Sequence, residues 1–161
     1  MGSIRSLIIA KENPLSIEHS ARTAVAGVIS LLVARYFRLP ESYWAAISTL
    51  VVMQSTVGAT LPVSAQRLAG TGLGAAVGAV AGTYFPGNAM VFGICVLMLG
   101  ILLVPFRLQR NAYRYASITL AIIMLVPGHT GWSVAFHRFF EVSVGIAVGL
   151  AVTALWPETV R

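Results

Sequence analysis

Arg67 and Arg138 head the two stretches of this 161-residue sequence most able to do chemistry, "QRLAGTGLGAAVGAVAG" (66–82) and "HRFFEVSVGIAVG" (137–149). A guanidinium stays charged and can grip a carboxylate through two parallel hydrogen bonds. Within an apolar run it has two uses. It faces a polar cavity and holds an anion, or its long side chain snorkels to the headgroups. Both arginines are therefore candidate substrate-binding residues. Arg138 has Glu141 three positions on, on the same helix face, which reads as a structural ion pair. The matching position beside Arg67 is Gly70, so Arg67 has no such neighbour and suits a ligand's carboxylate.

Glu141 is the only acidic residue well within an apolar run. With His137 four residues before it, it is the candidate for carrying a proton. The competing reading is that Glu141 only neutralises Arg138. Gln54, Ser55 and Thr56, in "QSTVGAT" (54–60), could hydrogen-bond a substrate; equally, they could satisfy one another or the backbone. Glu18 and Arg22 are four apart in the favourable order and read as an ion pair anchoring a helix start. Nothing points to catalysis. The sequence has no aspartate, no His/Cys/Glu grouping at metal-ligand spacing and no arguable Ser-His-acid set, so no enzyme, metal or cofactor is expected. The single cysteine, Cys95, lies in an apolar run and reads as a packed thiol.

The elements that must position these groups are membrane helices. Hydrophobic residues make up 57% of the chain and charged ones 10%, against roughly a quarter charged in soluble domains. The net charge of +6 does not imply nucleic acid, because the basic residues lie between apolar runs, as membrane-edge charges do. A helix needs about 20 apolar residues to cross a bilayer. The sequence predicts six spans, roughly Ile17–Phe37, Tyr43–Thr60, Val63–Phe85, Ala89–Phe106, Ala112–Val126 and Trp132–Trp156. They are broken at "RLPES", "LP", "PGN", "RLQRN" and "PGHTG". Residues 1–14 read as an interfacial segment rather than a signal peptide. Eight basic residues fall on the N-terminal side and three, Arg35, Arg38 and Arg138, on the other, which places both termini in the cytoplasm. Arg67 and Arg138 then fall about one turn inside their helices, near opposite faces. Tyr43, Trp44, Trp132 and Trp156 sit at span ends, as in an aromatic belt. Gly70, Gly74, Gly78 and Gly82, with Gly145 and Gly149, form small-residue stripes that let helices pack closely.

The two arginine stretches also align with each other. An offset of 71 pairs Arg67 with Arg138, Gly74 with Gly145, Gly78 with Gly149 and Pro86 with Pro157. The chain therefore reads as an all-α membrane domain of two three-helix repeats, about 17–86 and 88–157. Three crossings end on the far side, so the second repeat is inverted relative to the first. That plan recurs in transporters, and polar, broken segments at matching positions, here 54–60 and 125–131, point to their binding sites.

"RTA" at 22–24, "YWA" at 43–45, "VVMQSTVGAT" at 51–60, "RLAGTGLGA" at 67–75 and "HRFFEVSVGIAVG" at 137–149 together resemble the membrane domain of the fusaric-acid-resistance (FUSC) or aromatic acid exporter family. The resemblance implies an inner-membrane exporter of aromatic or other carboxylic acids, driven by the proton gradient. Family members are usually much longer, often with two six-helix blocks and a cytoplasmic region. For one block the resemblance suggests a homodimer, and a soluble partner chain is a further expectation. A passive anion channel, or a non-transporting subunit of a larger exporter, is the alternative.

Overall fold

The computed structural model describes residues 17–54, 56–104, 110–126 and 131–156. Among them are six helices and no strand: α1 (Ile17–Tyr36), α2 (Tyr43–Val52), α3 (Val57–Tyr84), α4 (Ala89–Leu103), α5 (Arg110–Leu125) and α6 (Gly131–Leu155). The interfacial segment expected at 1–14, Ser55, Pro157 and most of the "RLQRN" and "PGHTG" breaks lie outside the described residues. By length and composition α1 and α6 can each cross a membrane, whereas α2 and α4 are apolar but shorter.

Local chemistry explains most helix ends. Helix α1 stops where Arg38 takes a positive φ of 55°, with the Leu39 N–H donating back to the Ala34 carbonyl. Asn88 caps α4, its side chain accepting from the N–H groups of Met90 and Val91. Gly87, at φ 70°, donates to the Met124 carbonyl and ties that turn to the end of α5.

One boundary differs from the sequence expectation. The second span ends at Val52 rather than Thr60, and Pro62 lies inside α3 rather than in a break. The Thr56 side chain accepts the Ala59 N–H and starts α3 six residues before the proline. Neighbouring helices and local side chains can satisfy the backbone group that a proline leaves free in such a bundle. As a result α2 has ten residues, about 15 Å of helix, or half the thickness of a bilayer core. Helix α3 has 28.

The bundle is apolar outside, and its interior holds polar and charged groups beside an apolar core. Met90, Ile94, Leu97, Met98 and Ile101 of α4 are all exposed, whereas Arg22, Ser48, Thr49, Thr60, Thr71, Arg138 and Glu141 are buried. A soluble domain of this size distributes its residues the other way. In lipid this pattern is the stable one, with polar groups paired in the interior.

Helix α3 packs mainly on α5 and α6, while α2 packs on α6 and α1. The closest approaches are backbone to backbone. A Cβ added to Gly74 would fall on the Ala116 carbonyl oxygen of α5, and one added to Gly145 on the Ala45 carbonyl oxygen of α2. Further along, Gly78 would meet Ile123 at 3.2 Å and Gly149 would meet Val52 at 2.9 Å. Gly70 and Gly82 also face α5, at Ala112 and Ile123. The residues that meet advance together along both partners, so α3 runs parallel to α5 and α2 runs parallel to α6.

Gly74→Ala and Gly145→Ala are each expected to destabilise the fold by about 1–3 kcal/mol, the usual cost of overpacking. Gly93→Ala, with open space around it, should be neutral or mildly stabilising. Thermal unfolding of the purified variants in detergent would show the difference; equal loss at all three positions would contradict the packing described.

Candidate functional site

Two guanidiniums meet α2 on successive turns. Arg138 reaches it at Trp44 and Arg67 at Ser48, four residues on, or about 6 Å of helical rise. Trp44 and Ser48 share one face of α2, so the two like charges sit on the same side of that helix. This corrects the expectation that they sit near opposite faces. Because α3 begins before Pro62, Arg67 is three turns into its helix rather than one, and 7% exposed. Arg138 is two turns into α6 and 2% exposed.

Arg138 has acidic partners. Its Nη2 donates to Glu41 Oε2 at 2.7 Å, and its Nη1 lies 3.6 Å from Glu141 Oε2. Glu141, itself 1% exposed, accepts the backbone N–H of Glu41 at 2.8 Å through Oε1. The Trp44 ring covers the guanidinium at 4.0 Å. Nε and Nη1 of Arg138 have no hydrogen-bond partner. A cavity of about 140 Å³ opens beside this cluster, lined by Pro40, Glu41, Ser133, His137, Arg138 and Glu141 among others.

Arg67 has a different environment. Its Nε and Nη2 donate to the Ser48 hydroxyl at 3.3 and 3.2 Å, and the Tyr115 ring lies 4.8 Å away. No carboxylate pairs with it among the described ion pairs. Oε1 of the adjacent Gln66, which is also buried, has no partner.

The two environments correspond at the offset of 71. Arg67 over Tyr115 becomes Arg138 over Trp44 when the offset is added to one residue and subtracted from the other. The same exchange turns Gly74 against Ala116 into Gly145 against Ala45, and Gly78 against Ile123 into Gly149 against Val52.

Other expected site residues lie elsewhere. Thr56 is the N-cap of α3, eleven residues from Arg67 and so about 16 Å along the helix. The Gln54 carbonyl accepts from Arg22 Nη2 at 2.6 Å, and Arg22 Nη1 donates to the Trp156 carbonyl at 2.9 Å. Neither Gln54 nor Thr56 therefore joins Arg67 in one site, and Ser55 lies outside the described residues. His137 is exposed, with Ser133 Oγ 3.4 Å from its Nδ1, and borders the cavity that Glu141 also lines.

Sequence reasoning missed Glu41, Ser48, Tyr115 and the role of Arg22. Arg22 is fully buried at the C-terminal ends of α2 and α6, rather than simply pairing at the interface. A signal did exist for Tyr115, since the offset of 71 aligns it with Trp44. Glu41 gave none, because its turn read only as a helix break.

The geometry is that of a helical bundle with an apolar exterior and two buried arginines. The family described as fusaric acid resistance protein-like matches residues 26–152. The chain belongs to that family. Within it, the chain is similar to the uncharacterized transporter YdhK of Salmonella typhimurium, at 28% identity over 88% of this chain and 22% of that protein. YdhK of Escherichia coli K12 is 27% identical over 98% of this chain and 25% of its own length. The inner membrane protein YeeA of the same strain is 27% identical over 88% of this chain and 41% of its own length. The chain thus spans less than half the length of these relatives. No solved structure matches it.

Arg138→Gln is expected to cost about 3–5 kcal/mol, because it strands two carboxylates. Arg67→Gln removes a cation whose described polar partner is a hydroxyl, and should cost clearly less. Unfolding of both variants in detergent checks the order; a larger loss at Arg67 would reverse the assignment of partners.

Proposed function

We propose that the protein is a bacterial inner-membrane exporter of organic anions, with aromatic carboxylates as the substrate class and the proton gradient as the driving force. The observation that carries this reading is Arg67: a buried guanidinium, on an aromatic face, beside a second arginine and with no acid paired to it among the described residues. An internal cation kept from lipid and water needs a reason, and in a bundle of this kind the default reason is function. Arg67 holds the carboxylate, Arg138 is the second substrate-binding arginine, and Glu141 with His137 carries the proton. Gln54 and Thr56 line the substrate's route at a greater distance.

The family supports a transport role, and the names of the chain's relatives, "transporter" and "inner membrane protein", support the location. In the same reading the single membrane domain crosses six times with both termini in the cytoplasm. Its repeats, 17–86 and 88–157, are inverted copies that exchange roles as the site opens to either side. The matched contacts at the offset of 71 support that arrangement. A homodimer and a soluble partner chain complete the proposal, and native mass measurement on the purified protein tests the first of these.

The deciding experiment is flux of benzoate in proteoliposomes, corrected for passive leak of the neutral acid, with and without an imposed pH gradient. Uptake beyond electrochemical equilibrium, lost when the gradient collapses and lost in Arg67→Gln, is the expected result. Flux that only dissipates a gradient would make the protein a channel. No flux across several anions would leave a non-transporting subunit.

A further inference from the structure

Arg67 and Arg138 stand in equivalent frames, yet acids are supplied to only one of them. At the offset of 71, Glu41 and Glu141 correspond to Ala112 and Gly70. The second pair also meets: a Cβ on Gly70 would fall on the Ala112 carbonyl oxygen. The frame around Arg67 therefore closes with no carboxylate, by direct backbone contact. Acids are not needed to bring such helices together, so the pair around Arg138 serves the guanidinium itself.

The two acids are not alike. Glu141 lies on α6 and is 1% exposed, whereas Glu41 lies on the turn before α2 and its side chain is 27% exposed. Glu41 uses only Nη2 of Arg138; Nε has no partner, and Nη1 makes no hydrogen bond although Glu141 Oε2 lies 3.6 Å from it. The Nε and Nη2 hydrogens form the side-on fork of a guanidinium, so a bidentate carboxylate needs the nitrogen that Glu41 holds. The 140 Å³ cavity beside it, lined by Glu41 and Arg138, gives a small ligand somewhere to sit. Charge disfavours a further carboxylate there while Glu41 is in place. One cation already faces two carboxylates, and a third would be repelled in a site of low dielectric. With Glu41 withdrawn, Arg138 and Glu141 are matched one to one, and Nε and Nη2 together are open to a carboxylate.

We propose that Glu41 is a tethered carboxylate that occupies Arg138 in place of a free one, so that Arg138 accepts a monocarboxylate only when the turn carrying Glu41 withdraws. The inference rests on the reading of the arginines as carboxylate sites. It adds a specificity-determining residue and the condition under which the second arginine becomes available.

The test is benzoate binding to the full chain in nanodiscs, read from Trp44 fluorescence in a W132F/W156F background, since Trp44 lies against Arg138. Glu41→Ala and Glu41→Gln should each bind benzoate about tenfold more tightly than the parent, or about 1.4 kcal/mol. The gain should vanish when Arg138→Gln is added and persist when Arg67→Gln is added. Binding no tighter than in the parent, or a gain that survives Arg138→Gln, overturns the proposal. Should Glu41→Ala not fold, Glu41→Gln keeps the side chain's size and an acceptor oxygen for Nη2, and carries the comparison alone. A second readout is thermal. Benzoate should raise the melting temperature of the Glu41 variant more than that of the parent, with sodium chloride at equal ionic strength as control; equal shifts count against the tether. A binding gain without flux supports the tether and sinks the transport reading, whereas flux without a binding gain sinks the tether alone.

Discussion

The direct approach of one helix backbone to another, through glycine, is the constraint on which the rest of the structure depends. Apolar side chains gain nothing by leaving lipid for a helix interface, so association rests on packing contacts and internal hydrogen bonds. Gly74 brings α3 onto the Ala116 carbonyl, and Gly145 brings α6 onto the Ala45 carbonyl. These two contacts fix how deeply α2 and α5 are drawn into the bundle. They also fix which residues the arginines, a turn or two earlier on α3 and α6, will meet. The aromatic rings of Tyr115 and Trp44 lie one residue before the alanines whose carbonyls are touched, which is why each guanidinium finds one.

Burying two like charges near each other needs compensation, and the protein supplies it in two ways. At Arg138 the compensation is ionic, two carboxylates from two segments about 100 residues apart in the chain. At Arg67 it is a hydroxyl and a π-face, both weaker than a counter-charge. The frame is shared and the charge balance is not. A region evenly neutralised would be a good structural core and a poor anion site. Unequal neutralisation is what gives the pair of arginines chemical interest.

How much of this was legible in the sequence depended on whether the signal was local. The all-helical class, the approximate positions of five of the six helices and the offset of 71 follow from residue type and spacing alone. The end of the second helix did not, because the sequence reading gave Pro62 its usual weight as a helix breaker. Helix α3 instead runs through that proline from a threonine cap, leaving α2 half as long as a bilayer is thick. Every side chain depth on α3 shifted with that one boundary, Arg67 included. Glu41 was invisible for another reason. Its pairing with Arg138 spans 97 positions and joins a turn to a helix, so neither periodicity nor an i,i+3 rule can register it. Glu141, which such a rule does find, is the more distant of the two acids.

Arg22 gives the bundle a fastening at its other end. One guanidinium from the second turn of α1 takes the carbonyl of Gln54, just beyond α2, and that of Trp156, just beyond α6. These are helix C-termini, where unpaired carbonyls concentrate negative charge and a cation is favoured. Three segments remote in sequence are thereby clamped at a single point, which resists sliding far more than tilting. An axial shift of α1 against both α2 and α6 by one helical turn, about 5.4 Å, would tear both carbonyls from the guanidinium, whereas a small rotation about it would keep both. Mechanically, Arg22 is a fulcrum.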